Sequence, residues 1–178
     1  MDFSRYRVSD LLARPGAHRD EYLEVPITLS SESVTVEGTA VGEARIEAAV
    51  GAVVVRGQVE VPSKVVCSRC LTDAVGVVSA PLVVTFGDEE DEDSRPISGE
   101  GQIDLALAVH EELAMAMPHA PLCKSDCLGL CTECGTDLNI NPCDGHPESS
   151  DSPLAALEGL FPPEQYSRSP SWQYPRRR

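Results

Sequence analysis

Residues 34–50 read VTVEGTAVGEARIEAAV. Val34, Val36 and Ala40 alternate with Thr35, Glu37 and Thr39, and Ala44, Ile46, Ala48 and Val50 alternate with Arg45 and Glu47. Successive side chains of a strand point to opposite faces, so this period of two predicts half-buried antiparallel strands. Gly42-Glu43 between the two runs predicts a two-residue hairpin loop, with glycine supplying the positive φ that opens a type II′ turn. Working downstream, Val55, Gly57, Val59 and Val61 share one face of a third strand, with Arg56, Gln58 and Glu60 on the other. Pro62, which lacks a backbone N–H, is expected to end or bulge that strand. Upstream the same period begins at Leu23, whereas residues 1–22 are polar and mixed, with a short helical turn around Asp10–Ala13 halted by Pro15 and Gly16.

Beyond Val65-Val66 comes CSRCLTD and then VGVVSAPLVVTF, which places Cys67 and Cys70 at the tip between two apolar segments, as a hairpin knuckle. Residues 88–93, DEEDED, are six consecutive acids that cannot be packed together without repulsion; with SRPISGEG after them they predict a solvated loop. Asp104 is placed to cap a helix through LALAVHEELAMAM, because its carboxylate can accept from free first-turn amides, and Pro118 stops that helix. Leu105, Val109, Leu113 and Ala116 form its apolar stripe. Further on, SPLAALEGL predicts a short helix capped by Ser152, with Pro153 in the first turn. The expected fold is α+β, an antiparallel β-rich sheet or partial barrel with one long packing helix and a zinc-knuckle loop. Its expected organisation is an N-terminal segment over 1–22, a single β-rich domain over 23–162 carrying a cysteine cluster at 120–147, and a disordered tail over 163–178.

The 178 residues, 42% of them hydrophobic, suffice for one domain with a real core. With only 3 Phe, 4 Tyr and 1 Trp, that core must be built of Val, Leu, Ala and Ile, which favours strands. Fourteen Lys plus Arg stand against 29 Asp plus Glu, a net charge of −15. This balance argues against a broad basic surface wrapped around phosphates, so nucleic-acid contact must be local or indirect. The longest apolar run, Ala48–Val55, contains Gly51 and stops at Arg56, far short of a membrane span. MDFSRYRVSDLLARPGAHRDEY has no apolar h-region, so the N-terminus does not read as a secretory signal and a cytoplasmic location is expected.

In a reducing compartment, seven cysteines point to metal ligation before disulfides. CKSDCLGLCTECGTDLNINPCDGH holds cysteines at 123, 127, 131, 134 and 143 and a histidine at 146. Two cysteines separated by two residues can occupy adjacent corners of one tetrahedral zinc ion, and Cys131 and Cys134 have that spacing. Gly135 follows them and suits the tight turn in which amides approach the sulfur. With Cys67 and Cys70 there are eight candidate ligands, enough for two closed sites: Cys67, Cys70, Cys123 and Cys127 in one, Cys131, Cys134, Cys143 and His146 in the other. A single site from Cys123, Cys127, Cys131 and Cys134, with the earlier pair free, is the rival partition. Buried small hydrophobes are the plainer explanation of lone cysteines, but not of cysteines packed among Gly, Asn and Asp. A redox pair at Cys67 and Cys70 would open a helix after a strand, and LTDAVGVV reads as turn and strand instead.

Closed sites of this kind are structural, since a hydrolytic zinc keeps an open coordination position. Such an ion contributes roughly 10–16 kcal/mol apparent free energy in zinc-finger peptides, so without metal residues 120–147 are expected to be disordered. Other motifs lead nowhere. HEELA at His110 lacks a second histidine four residues on, because position 114 is Ala. The acidic run lacks the glycine turn of a calcium loop. The terminal SWQYPRRR reads as a frayed tail.

VCSRCL after a β meander, then IDLALAVHEELAMAMPHAPLC, then DCLGLCTECGTDLN, resemble the YceD family of large ribosomal RNA subunit accumulation proteins, over roughly residues 20–160. The resemblance implies a part in accumulation or processing of 23S ribosomal RNA. It places Cys67 and Cys70 on the family's first cysteine pair and Cys123, Cys127, Cys131 and Cys134 on its later cluster, some members lacking the elements at Cys131 and Cys134. With a charge of −15, that implication is read as a non-enzymatic ribosome biogenesis factor holding one or two structural zinc ions. The expected partner is a ribosomal protein or large-subunit assembly intermediate, with ribosomal RNA reached indirectly. The other classes the sequence allows are a zinc-dependent protein-interaction adapter and a thiol redox sensor.

Overall fold

A computed structural model describes residues 4–87, 94–143 and 145–146. The chain divides into two compact units, Met1–Pro142 and Cys143–Arg178. The acidic run 88–93, the expected helix over 152–160 and the expected tail over 163–178 lie outside the described residues.

The first unit is β-rich. Four long strands, β2 (His18–Ser30), β3 (Val34–Ala49), β4 (Ala52–Val66) and β5 (Asp73–Gly87), form an antiparallel meander. A three-residue strand, β6 (Ser94–Pro96), adds in parallel to Thr85–Gly87 and completes a five-stranded sheet ordered β2-β3-β4-β5-β6. Part of the segment after the acidic run is therefore strand where a loop was expected. Near the N-terminus, β1 (Arg5–Arg7) pairs with β7 (Gln102–Asp104) in a separate two-stranded sheet. The helices are short: α1 covers Ser9–Leu12 and α2 covers Ala106–Ala116, three turns.

Alternation decides which face is inside. Leu23, Val25, Ile27 and Leu29 of β2, Ile46 of β3, Val53, Val55, Val59 and Val61 of β4, and Val78, Leu82 and Phe86 of β5 form one buried cluster. It also takes in Ile103, Leu105, Val109 and Leu113, so α2 contributes its apolar stripe to the same core. The carboxylate of Asp104 accepts from the amide of Ala106 at 2.9 Å, tying down a free donor at the start of α2, and Met117 leaves the helix in extended geometry just before Pro118.

The hairpin expected at Gly42-Glu43 does not exist: β3 runs unbroken through both residues. Parity is preserved across Gly42, so the inward set continues from Ala40 to Ala44. Glycine at 42 serves close approach instead of a turn, since a Cβ there would fall 2.0 Å from the Gln58 carbonyl oxygen, and one at Gly57 would fall 2.3 Å from that of Glu43. The turn lies further on, at Gly51, whose φ is +71°. Pro62 does not end β4, but it does sit at an irregularity of the ladder, the other outcome expected of it. Its neighbours in β3 fall where the register is interrupted between Val36 and Val41, so its missing N–H meets a ladder already broken there.

Candidate metal centre

The knuckle between β4 and β5 is built by the backbone. The Cys67 amide donates to the Thr72 carbonyl at 2.9 Å, and the Leu71 amide returns to the Cys67 carbonyl at 2.8 Å. To close so tightly the chain passes Leu71 at a φ of +60°, the one positive φ outside glycine among the described residues. The Thr72 hydroxyl sits 3.0 Å from the Cys70 sulfur.

The loop after α2 docks onto this knuckle. Ser68 donates its amide to the Pro121 carbonyl at 2.9 Å, and Leu130 donates to the Arg69 carbonyl at 3.1 Å. The Arg69 guanidinium reaches across to the Cys127 carbonyl at 2.8 Å. Asn139 closes the far side: its side-chain oxygen accepts from the Leu128 amide at 2.9 Å and its amide nitrogen lies 3.5 Å from the Cys127 sulfur. None of Arg69, Thr72 or Asn139 stands out in the sequence, because their roles depend on neighbours brought in by the fold.

These contacts gather Cys67, Cys70, Cys123 and Cys127, whose sulfurs all lie within 4.8 Å of one another. Cys67 and Cys127 are 3.7 Å apart and Cys70 and Cys123 are 3.6 Å apart. A disulfide has an S–S length of about 2.05 Å, so neither pair is bonded. Four thiolates at about 2.3 Å from one tetrahedral zinc would stand about 3.8 Å from each other. The donor set therefore fits zinc in kind, number and spacing. Cys67, Cys70 and Cys127 are buried, and Leu122 and Leu130 pack against them.

Proton affinities within the quartet diverge. The amide of Cys70, followed by those of Cys123 and Arg69, aims at the Cys67 sulfur and brings it down to about 6. The Thr72 hydroxyl and then the Thr72 amide hold Cys70 below the ordinary thiol value. Cys123, facing the Cys70 thiol first and then burial, is pushed up to about 12. Thiols so close cannot all ionise unless a cation compensates them.

Cys131 and Cys134 form a second knuckle of the same construction. The Cys131 amide donates to the Thr136 carbonyl at 2.8 Å, and the Gly135 amide returns to the Cys131 carbonyl at 2.9 Å. The Cys134 sulfur lies 3.1 Å from the Thr136 hydroxyl, and Gly135 takes the positive φ, +72°. In the second unit, Cys143 and His146 stand side by side, with Sγ 3.1 Å from Nε2. No helix among the described residues is long and apolar enough to cross a membrane.

Fold and site together define a β-rich protein whose central hairpin ends in a cysteine knuckle closed by a second cysteine-bearing loop, with four sulfurs close enough together that they could hold a metal ion. The family model of the large ribosomal RNA subunit accumulation protein YceD matches residues 55–161, from mid-β4 through both knuckles, and the chain belongs to that family. It is 33% identical over 173 residues to the uncharacterized protein ML1660 of Mycobacterium leprae, covering 89% of this chain and 78% of that protein. It is 29% identical over 170 residues to the uncharacterized protein Mb2951c of Mycobacterium bovis and to the uncharacterized protein Rv2926c of Mycobacterium tuberculosis, in each case 88% of this chain and 81% of the relative. No solved structure matches the chain.

Proposed function

We propose that this chain is a non-enzymatic, cytoplasmic ribosome biogenesis factor that supports the accumulation of large-subunit ribosomal RNA through a protein partner. The observation that carries this reading is the thiol quartet of Cys67, Cys70, Cys123 and Cys127 within a YceD-family chain of net charge −15. Four thiolates close a zinc shell and leave no position for a substrate or an activated water, so the ion's part is to fasten the loop onto the hairpin. The acidic balance supports attraction to a basic protein, such as a ribosomal protein, over direct contact with phosphates.

The test is depletion of the protein from growing cells, followed by sucrose-gradient profiles and a crosslinking pull-down scored for 23S RNA and large-subunit proteins. Loss of 50S particles together with recovery of large-subunit proteins is expected. Unchanged 50S and 23S levels would overturn the ribosomal reading in favour of an adapter working elsewhere. Reversible oxidation of Cys67 and Cys70 in a chain binding no stoichiometric zinc would favour a redox sensor.

A further inference from the structure

The two long edges of the sheet are finished differently. β2 is guarded: Arg19, Asp20, Glu21 and Glu24 lie along it, and Pro26 removes a donor, devices that discourage another strand from adding. β5 carries the proline device once, at Pro81, but has one charged residue along its whole length. β6 covers only Thr85–Gly87, so from Asp73 to Val84 the side of β5 away from β4 pairs with no other strand among the described residues. No other described backbone or side-chain group bonds to that stretch of main chain. Val75, Val77 and Val83 stand on its outward face, 89%, 63% and 61% exposed, and Asp73 is its one charged residue. At the knuckle end, Val75 joins Val66, Thr35 and Lys64 in lining an open groove.

We infer that the free edge of β5 over Asp73–Val84 is a docking site for an extended segment of a basic partner protein, which adds as a strand and alternates apolar with Lys or Arg side chains. Main-chain hydrogen bonds along the edge supply the affinity, and the exposed valines receive the apolar half of the segment. Charge selects the partner. Asp73 marks one end of the edge, six acids at 88–93 follow directly on Gly87 in the sequence, and the chain as a whole carries −15. The same charge opposes self-pairing of two copies along this edge, where like would meet like. The proposal rests on the proposed function only for the partner being a protein; the edge itself stands on the pairing of the strands.

The experiment uses the full-length protein as purified, with hydrogen exchange of individual β5 amides as the readout. Three synthetic ten-residue peptides are the probes: alternating lysine and valine, the same peptide N-methylated at every second residue, and alternating glutamate and valine. The expected result is slowing of the β5 amides that do not bond to β4 by about tenfold or more with the lysine peptide, and by neither of the others. Val77→Lys with Val83→Lys, in a chain whose circular dichroism is unchanged, should abolish that protection. Three results would overturn the assignment: no protection, equal protection by the methylated peptide, or β5 amides already protected in a free protein that sediments as a dimer. Absence of protection alongside 50S loss on depletion sinks the edge and leaves the ribosomal reading standing. Protection with normal 50S levels does the reverse.

Discussion

The sulfur of Cys67 lies 3.7 Å from the sulfur of Cys127, which is 60 residues further along the chain. Local geometry alone cannot bring them together. The β4–β5 hairpin delivers the first, α2 returns the chain to the sheet, and hydrogen bonds from Ser68, Arg69 and Leu130 set the second loop on the knuckle. Side chains around the sulfurs would govern how well a metal bound there is held, which leads to the first prediction.

Asn139→Ala removes both the acceptor for the Leu128 amide and the amide group beside the Cys127 sulfur. Arg69→Met removes the donor to the Cys127 carbonyl. Each is expected to weaken zinc binding by roughly 10–100-fold without removing a ligand. Competition against a chelator of known affinity measures this, and wild-type affinity in both variants would show that the outer contacts do not matter.

After the second cysteine the two knuckles carry different residues, Leu71 in one and Gly135 in the other, both with positive φ. Left-handed backbone costs an L-residue roughly 1–2 kcal/mol, whereas glycine adopts it freely. Gly135→Ala meets open space, so only this strain acts and stability should fall by about 1 kcal/mol. Leu71 is largely exposed, and Leu71→Gly should be neutral or slightly stabilising. Urea unfolding of the pair decides it; a marked loss in Leu71→Gly would mean that the leucine side chain is needed for something else.

The equivalence of CSRCLT and CTECGT was on the page in the sequence, but the leucine hid it. Glycine after the second cysteine signals a tight turn at Gly135, while leucine at the same place gives no such sign, because its strain is paid by the surrounding hydrogen bonds. The inward alternation of the long strands was likewise legible, as was the apolar stripe of Leu105, just before α2, with Val109 and Leu113 within it. Gly42 misled for a physical reason: glycine permits a positive φ and also permits two backbones to touch, and sequence alone does not say which use is made of it. β1, β6 and β7 are three residues each, too short to show a period.

The close approach at Gly42 carries its own test. Gly42→Ala sets a Cβ 2.0 Å from the Gln58 carbonyl oxygen, and neither backbone can yield without disturbing the β3–β4 ladder. A loss of about 3 kcal/mol or more is expected, against little change for Gly99→Ala, which meets nothing within 4 Å. Thermal and urea midpoints of the two variants compare them, and similar midpoints would contradict the strand register.

On the guarded edge, Arg45 of β3 donates from Nε to Asp20 of β2 at 2.8 Å. That hydrogen bond first, and the guanidinium charge second, hold the Asp20 carboxyl below the usual carboxylate range. Because the folded value is the lower one, the pair stabilises the fold above the unfolded value of Asp20 and loses that contribution as pH falls through the folded value. An NMR titration should find Asp20 titrating below ordinary aspartates, and Arg45→Met should restore it. An unshifted midpoint in the wild type would show the pair to be absent in solution.

Everything rests on one ion joining hairpin and loop, and elemental analysis of the full-length protein purified without chelators tests it most directly. At least one zinc per chain is predicted in the wild type, with one fewer in Cys127→Ser. Wild-type protein without stoichiometric zinc, or a Cys127→Ser variant that retains all of it, would contradict the account.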